Sequence, residues 1–181
     1  MNPKTVRPGA VVRLLVSSVP AWLSLACGRP FDLKTPPGFV ELSDQAAHGY
    51  LYRATTPEGV VVGVRVVEDE RRGELPFWAR TITLRLRDGN GYALLESADT
   101  KSADGTPGTR LRFGSDEGHK PYLYEVSVFS AQGRVFLFEA GGKREDFEHA
   151  RAGIDGMLAS LKVRCGTFVS PVLASRTCNR W

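Results

Sequence analysis

The chain has 181 residues with a formal net charge of +4, which is the length of a single domain. A chain of this length buries roughly 70% of the surface that its unfolded form exposes, so a hydrophobic core suffices without obligatory disulfides or metals. Three of the 24 basic residues lie within residues 1–26, which hold no acidic residue, so the rest carries 21 basic and 20 acidic residues. Because binding of phosphate backbones requires clustered basic charge, we expect no nucleic-acid partner.

Residues 1–26 have the organisation of a secretory signal peptide. A basic start is followed by an apolar run of 13 residues at 14–26. A membrane-spanning helix needs about 20 apolar residues, and Pro20 interrupts this run, so a permanent transmembrane anchor is not expected. Ser24 and Ala26 supply the small residues that precede a cleavage point. The alternative is an N-terminal strand or helix that stays in the protein.

Cys27 follows the predicted cleavage point. Residues 24–27 (S-L-A-C) resemble a bacterial lipobox, in which the cysteine is acylated and becomes the new N-terminus. The lipobox pattern prefers Leu three residues before the cysteine, where this chain has Ser24, so an ordinary signal-peptidase cut after Ala26 is the alternative. By analogy with Gram-negative sorting, Gly28 after the cysteine favours the outer membrane.

The count of cysteines supports a lipid on Cys27. An oxidising compartment disfavours an odd free thiol. If Cys27 is lipidated, Cys165 and Cys178 remain as a pair within the tail of residues 164–181, and we expect a disulfide between them. By loop entropy this bridge would contribute roughly 3 kcal/mol. Two unpaired thiols in a cytosolic protein are the alternative.

The first part of the body, after a short tether at residues 27–30, is predicted to be rich in strands. Residues 31–34 and 39–42 form short extended pieces on either side of a proline-rich turn. Residues 50–55 and 60–67 predict a hairpin whose second strand is central, and Gly63 in that strand indicates a close packing contact or a bulge. The mixed charge run at residues 68–73 predicts a solvated loop rather than a cation site.

Residues 75–87 fit both a helix and a strand. Leu75, Trp78, Ile82 and Leu86 have helical spacing, with Pro76 in the first turn. Within the same segment, residues 81–87 alternate as in a strand, and periodicity alone leaves both structures open. The family resemblance described below favours the helix. Further along the chain, strands are predicted at residues 92–100 and 109–113, and a polar loop at residues 115–121.

Residues 122–163 contain the strongest pattern in the chain. Residues 122–129 alternate with the period of a strand, residues 131–133 supply a turn, and residues 135–140 form the return strand. A helical stripe follows, which consists of Phe147, Ala150, Ile154, Met157, Leu158 and Leu161. This stripe requires cover, and the apolar face of the hairpin is the nearest. The chain is therefore predicted to form one antiparallel α+β domain with seven or eight strands and two helices over residues 27–163.

The three histidines give no basis for a catalytic or metal site. His48, His119 and His149 each lack a second ligand nearby in sequence, whereas zinc sites need several. His149 lies at a polar position of the last helix, and His119 lacks an adjacent nucleophile motif. Spatial pairs of carboxylates cannot be seen in a sequence. We therefore predict no catalytic, cofactor-binding or metal-binding residue.

The order of these pieces resembles the PsbP-like family. The resemblance rests on F-x-L-x-x-P-x-G-F at 31–39, aromatic residues 77–78 near the start of a helix, D-G-x-P-G-x-R-L at 104–111 and I-x-x-M-L-x-S-L-K-V at 154–163. It implies an antiparallel sheet sandwiched between helices, as in an α/β/α sandwich. It implies no common chemistry, because family members, including many bacterial envelope lipoproteins, mostly bind or stabilise partners. No functional residue carries over, since no functional motif of the family matches.

These patterns together predict a non-enzymatic binding or assembly factor. We expect it to be exported to the bacterial cell envelope, lipid-anchored through Cys27, facing the periplasm, and bound to a protein partner without a cofactor. The alternative is an envelope enzyme such as a hydrolase. A deep pocket lined by convergent polar side chains would favour the enzyme, and a flat sheet face with exposed aromatic side chains would favour the binding factor.

Overall fold

One antiparallel sheet of seven strands organises the part of the chain that the structure describes. The computed structural model describes residues 29–42, 49–118, 120–131 and 133–163. The strands are β1 (Val40–Glu41), β2 (Tyr50–Thr55), β3 (Val61–Glu68), β4 (Ala93–Lys101), β5 (Pro107–Glu117), β6 (Lys120–Ala131) and β7 (Arg134–Lys143). Their order across the sheet is β1-β2-β3-β7-β6-β5-β4. Every neighbouring pair is antiparallel, as the sequence predicted.

The β6–β7 hairpin is the centre of the sheet. Its register runs from Tyr122 opposite Lys143 to Ala131 opposite Arg134. Successive side chains of a strand point to opposite faces, so alternate residues of β6 are buried on opposite sides of the sheet. Val126 and Val128 belong to one apolar cluster, whereas Leu123 and Phe129 belong to the other. The hairpin therefore needs cover on both faces.

Helix α2 (Arg144–Ser160) covers one face of the sheet, here called the α2 face. The predicted stripe is confirmed: four of its residues are buried in the helix, namely Phe147, Ile154, Met157 and Leu158. They pack against the side chains that β2, β3, β6 and β7 present on this face, such as Ala54, Val62 and Phe138. This cluster is the larger of the two hydrophobic cores.

Helix α1 (Leu75–Leu84) covers the opposite face, here called the α1 face, and continues into a π-helical turn at Arg85–Gly89. The helix predicted for residues 75–87 is therefore confirmed, and the alternative, a strand over residues 81–87, is not formed. The stripe of Leu75, Trp78, Ile82 and Leu86 packs on the second core, which is formed by Leu111, Phe113, Val126, Val128 and Val135. Those five residues lie on β5, β6 and β7. A sheet between two helices is the predicted α/β/α arrangement.

The two helices cover different halves of the sheet. Helix α2 packs over the side of β2, β3, β7 and β6, whereas α1 packs over the side of β5 and β6. Two areas consequently lie beyond the apolar cores. One is on the α1 face over β2 and β3, and the other is on the α2 face over β4 and β5. The first area carries Tyr50, Arg53 and Arg65 among its side chains, and the second carries Glu96, Arg110 and Arg112.

Two predicted local structures are wrong. Residues 115–121 are not a loop: β5 extends to Glu117, β6 begins at Lys120, and Glu117 pairs with Lys120 across a tight turn. Gly118, with φ of 57°, adopts the left-handed conformation that such a turn requires. Residues 31–34 form no sheet strand. Asp32 instead makes a single antiparallel bridge with Lys162 beyond the end of α2.

The predicted loop at residues 68–73 contains one structural carboxylate. Asp69 is only 6% exposed. Its Oδ2 accepts hydrogen bonds from the Gly73 N–H at 2.7 Å and from the Trp78 indole N–H at 2.9 Å. The loop is therefore fastened to the first turn of α1. This contact explains how a polar segment can lead directly into a helix that packs on the sheet.

Candidate functional site

A cluster of aromatic and charged side chains occupies the α1 face beyond the cover of α1. We call it the tyrosine–arginine face, and its members are Tyr50, Arg53, Arg65, Tyr124 and Glu139. Glu139 lies at its centre and is 4% exposed. The Arg65 Nε–H donates to Glu139 Oε2 at 2.9 Å, and the Tyr124 hydroxyl donates to Oε1 at 2.8 Å. A second nitrogen of Arg65 also pairs with this carboxylate, so the guanidinium binds it in a fork.

Glycines in the neighbouring strands allow the tyrosine rings to lie against the sheet. A Cβ atom at Gly63 would come within 2.6 Å of the Tyr50 ring, and one at Gly141 within 3.1 Å of the Tyr124 ring. The sequence left Gly63 as either a packing contact or a bulge. The structure shows that Gly63 makes a packing contact and is not a bulge. The bulge lies on the neighbouring strand, where the register shifts between Tyr50 and Tyr52. Glycine at 63 is required by the approach of the ring.

Arginines flank the Tyr50 ring. The Arg65 Cζ lies 4.8 Å from the ring centroid and the Arg53 Cζ lies 5.7 Å from it, both within the range of cation–π attraction. The Tyr124 ring lies 5.6 Å from that of Tyr92, centroid to centroid. These contacts therefore fix the positions of the rings and guanidinium groups within the folded chain.

Burial and the negative charge of Glu139 control the ionisation of the two tyrosines. Desolvation, followed by the Glu139 carboxylate, raises the pKa of Tyr50 to about 12. The same two causes also raise the pKa of Tyr124. The hydrogen bond to Glu139 raises the pKa of the Arg65 guanidinium. Both hydroxyls consequently stay protonated as hydrogen-bond donors over the physiological pH range.

A second cluster lies on the α2 face over β4 and β5. We call it the arginine–glutamate cluster, and its members are Glu96, Arg110, Arg112, Glu125, Arg151 and Asp155. Glu125 is 3% exposed and accepts hydrogen bonds from the Nε–H groups of Arg110 at 2.7 Å and Arg112 at 3.0 Å. Arg110 also pairs with Asp155 of α2 at 2.5 Å. The cluster therefore connects α2 to the strands where the apolar core ends.

The cleft beside this cluster is small and internally neutralised. Its volume is about 160 Å³, and its lining includes Arg110, Arg112, Glu96 and Glu125, which are already paired with one another. Ligand pockets for small molecules usually have volumes of roughly 300–1,000 Å³. The arrangement is that of a structural ion-pair network rather than a pocket with convergent free groups.

The residues singled out in the sequence fall mostly outside the described ranges. Cys27, Cys165, Cys178, His48 and His119 all lie there, so the predicted lipidation and disulfide remain predictions. His149 is exposed on α2, at the polar position that the helical pattern indicated, and lines a groove with Asp146. Within residues 29–42, 49–118, 120–131 and 133–163, no three His, Cys, Asp or Glu side chains are grouped to hold a metal. None of the helices described there has the length and apolarity to cross a bilayer.

Sequence reasoning missed both clusters. Glu125 and Glu139 occupy strand positions that, in a sequence, resemble the solvent-facing half of an alternating pattern. Two features of the sequence pointed to these clusters. One is the pair of glycines at 63 and 141. The other is the pair of arginines at alternate positions 110 and 112, which places two guanidinium groups on one face of a strand. Neither feature identifies the side chains that pack on the glycines or pair with the arginines, because those side chains come from other strands.

Comparison with known proteins identifies the fold. No protein-family model and no curated protein sequence matches the chain. Several solved structures are similar over about three quarters of it. The cyanobacterial PsbP protein of Synechocystis matches at 13% identity and a TM-score of 0.52, over 74% of this chain and 86% of its own. The Ran-binding protein Mog1p of Saccharomyces cerevisiae matches at 10% identity and a TM-score of 0.55, over 74% of this chain and 90% of its own.

A third similar structure comes from a bacterial envelope system. LpqN, described as involved in cell envelope biogenesis of Mycobacterium tuberculosis, matches at 9% identity and a TM-score of 0.53, over 73% of this chain and 82% of its own. At such identities the likeness concerns the fold alone. The predicted PsbP-like α+β fold is thereby confirmed.

The close approach at Gly63 makes a substitution there costly. In Gly63→Ala the added Cβ would displace the Tyr50 ring, which Arg65 and Glu139 hold in place, and we expect a loss of about 1–3 kcal/mol in the free energy of unfolding. Gly156→Ala is the matched control. Nothing lies within 4 Å of a Cβ at this helical position, so alanine there should add up to about 1 kcal/mol. Urea unfolding of both variants measures the two effects, and a neutral Gly63→Ala would contradict the contact.

The raised pKa of Tyr50 predicts a loss of stability in alkali. Between pH 10 and about 12 the unfolded chain releases the tyrosine proton while the folded chain retains it. The unfolded state then binds fewer protons, so the free energy of unfolding falls as the pH rises. Urea unfolding at a series of alkaline pH values should show a shallower fall for Tyr50→Phe than for the parent. Parallel curves would show that the Tyr50 hydroxyl is not perturbed by its surroundings.

Proposed function

We propose that this protein is an exported, lipid-anchored binding or assembly factor of the bacterial cell envelope, and that a protein partner docks on its tyrosine–arginine face. The observation that carries the proposal is the sheet area over β2 and β3 on the α1 face, which neither α1 nor α2 covers. There, tyrosine rings and guanidinium groups are held half-buried beside a buried carboxylate. A flat sheet face with accessible aromatic side chains is the geometry expected of a binding module.

The chemistry of this face suits a protein partner. Tyrosine and arginine are the residue types enriched in protein–protein interfaces, where a few of them dominate the binding energy. The guanidinium groups of Arg53 and Arg65 both lie near the Tyr50 ring, and Gly63 beneath it lets the ring lie against the sheet. Because these side chains are already ordered, binding loses less conformational freedom than it would at a mobile surface. The face therefore offers rigid, amphipathic groups for docking.

Features of the sequence support the proposed localisation in the cell envelope. The leader at residues 1–26 and the lipobox-like Cys27 favour export and acylation, and Gly28 favours the outer membrane. The pair Cys165 and Cys178 suits an oxidising compartment such as the periplasm. LpqN, which shares the fold, is a protein involved in cell envelope biogenesis in its own organism. These observations agree on an envelope role without naming the partner.

An envelope enzyme has less support. The cleft of about 160 Å³ beside the arginine–glutamate cluster brings two carboxylates, Glu96 and Glu125, together. Both are paired with Arg112. General acid–base work needs a carboxyl group that can reach a substrate and exchange a proton with it. Because both carboxylates are held in ion pairs with Arg112, they have a structural role.

The anchor can be tested through Cys27. In a Gram-negative host, Cys27→Ser should move the protein from the membrane fraction to the soluble periplasmic fraction and abolish incorporation of labelled palmitate, because a thioether-linked lipid needs the thiol. Cys165→Ser, which leaves Cys27 in place, is the control and should stay in the membrane fraction. Equal membrane recovery of the Cys27→Ser variant and the parent would overturn the lipid anchor.

The docking face can be tested by photo-crosslinking in cells that naturally produce the protein. A photoreactive amino acid at Arg53 should give a discrete adduct with one protein, and the same group at Ala159, exposed on α2, should not. Adding Tyr50→Ala to the Arg53 probe should reduce the adduct yield by about fivefold or more, because removal of a central interface tyrosine typically costs over 1 kcal/mol. Circular dichroism confirms that the Tyr50→Ala variant is folded. An unchanged yield, or the same adduct from Ala159, would contradict docking at this face.

A further inference from the structure

The first described residues attach the N-terminal arm firmly to one side of the domain. Phe31 is 6% exposed and packs in the larger core. The Asp32 N–H donates to the Lys162 carbonyl oxygen at 2.9 Å, and the Lys162 N–H donates to that of Asp32 at 2.8 Å. The Lys34 N–H donates to Ser160 Oγ at 3.0 Å. The arm is therefore part of the folded body and not a loose linker.

Arg29 is already in contact with the edge of the sheet. Its guanidinium pairs with Glu41 of β1 and lies over the Tyr52 ring of β2, with Cζ 5.4 Å from the ring centroid. Tyr52 is in turn fixed by a 2.8 Å hydrogen bond between its hydroxyl and Thr35 Oγ1. The chain thus reaches the β1–β2 edge by residue 29.

The distance from Cys27 to this contact is short compared with the domain. Two extended residues span at most about 7 Å. The seven-stranded sheet, with neighbouring strands about 4.8 Å apart, is about 29 Å wide from β1 to β4. A lipid attached at Cys27 would therefore hold the β1–β2 edge at the headgroups. The start of β4, around Leu95, would stand away from the membrane. The β4–β5 turn, in contrast, lies against the end of α2, where the Ala103 N–H donates to the Leu161 carbonyl oxygen at 2.7 Å.

The β1–β2 edge has a surface suited to headgroups. Val40, beside Glu41, is 64% exposed, and Leu51, beside Tyr52, is 46% exposed. Lys34 and Lys162 are exposed where the arm meets the end of α2, beside the exposed carboxylate of Asp32. Exposed apolar side chains together with a local excess of amines near the lipid attachment are the combination that settles at the surface of an anionic bilayer.

We propose that the β1–β2 edge, with Val40 and Leu51, contacts an anionic bilayer and sets the orientation of the domain on the membrane. The inference rests on the proposed lipid at Cys27, since exposure alone does not single out this edge. Leu95 on β4 is exposed to a similar extent, at 54%, but lies at the far side of the sheet. It therefore provides a matched control.

The test uses residues 27–181 with a maleimide lipid coupled to Cys27 in a Cys165→Ser/Cys178→Ser background. The protein is attached to vesicles of phosphatidylethanolamine and phosphatidylglycerol with brominated acyl chains. Leu51→Trp should show blue-shifted emission and quenching by the bromines relative to the same protein without Leu51→Trp. Leu95→Trp should emit as it does in buffer. Val40→Trp provides a second probe should Leu51→Trp fail to fold.

Equal quenching of the two edges, or none at either, would overturn the orientation. This outcome is separate from failure of the proposed anchor, because the lipid is attached chemically and vesicle flotation shows that the protein is bound. Failure of the natural anchor appears instead in the fractionation of the Cys27→Ser variant in cells. The two proposals can thus fail independently.

Discussion

The β6–β7 hairpin has to bury side chains on both of its faces, and this constraint determines where the other elements lie. Phe129, Phe136 and Phe138 point to one face, and Val126 and Val128 point to the other. A single helix can cover only one face, so two helices are required, one on each side. The arm, the β2–β3 hairpin and β5 then extend the two apolar clusters that the hairpin begins.

The offset of the helices explains the position of the two charged clusters. Where the cover of α2 ends, Glu125 is compensated by Arg110 and Arg112, and where the cover of α1 ends, Glu139 is compensated by Arg65. A buried carboxylate is costly unless it is paired and hydrogen-bonded, and removing one partner of such a pair typically costs about 3–5 kcal/mol. The clusters have the same physical origin but different surroundings. The arginine–glutamate cluster connects α2 to the sheet, whereas neither helix covers the tyrosine–arginine face.

The fold is shared by proteins with quite different roles. One similar structure is a cyanobacterial PsbP protein, one is a Ran-binding protein of yeast, and one is involved in mycobacterial envelope biogenesis. A fold of this kind does not determine a function, which has to be argued from particular surfaces. In this chain the tyrosine–arginine face begins on β2, the strand whose Tyr52 holds Arg29. The proposed docking face and the proposed membrane edge are consequently neighbours, so a partner in or at the membrane could reach the face directly.

Local patterns in the sequence determined the elements and the general architecture. The alternation at residues 122–129 and the apolar stripe from Phe147 to Leu161 each depend on near neighbours, and each is confirmed. For residues 75–87 the local pattern left helix and strand open, and the family resemblance favoured the helix that is observed. The turn at Gly118 was missed because the polar residues around it satisfy their backbone groups by pairing with one another, which composition does not reveal. Only the tertiary structure decided that Glu125 and Glu139 are buried. Their surroundings depend on which strands become neighbours and on how far each helix extends over the sheet, and these are properties of the whole packed chain rather than of any segment.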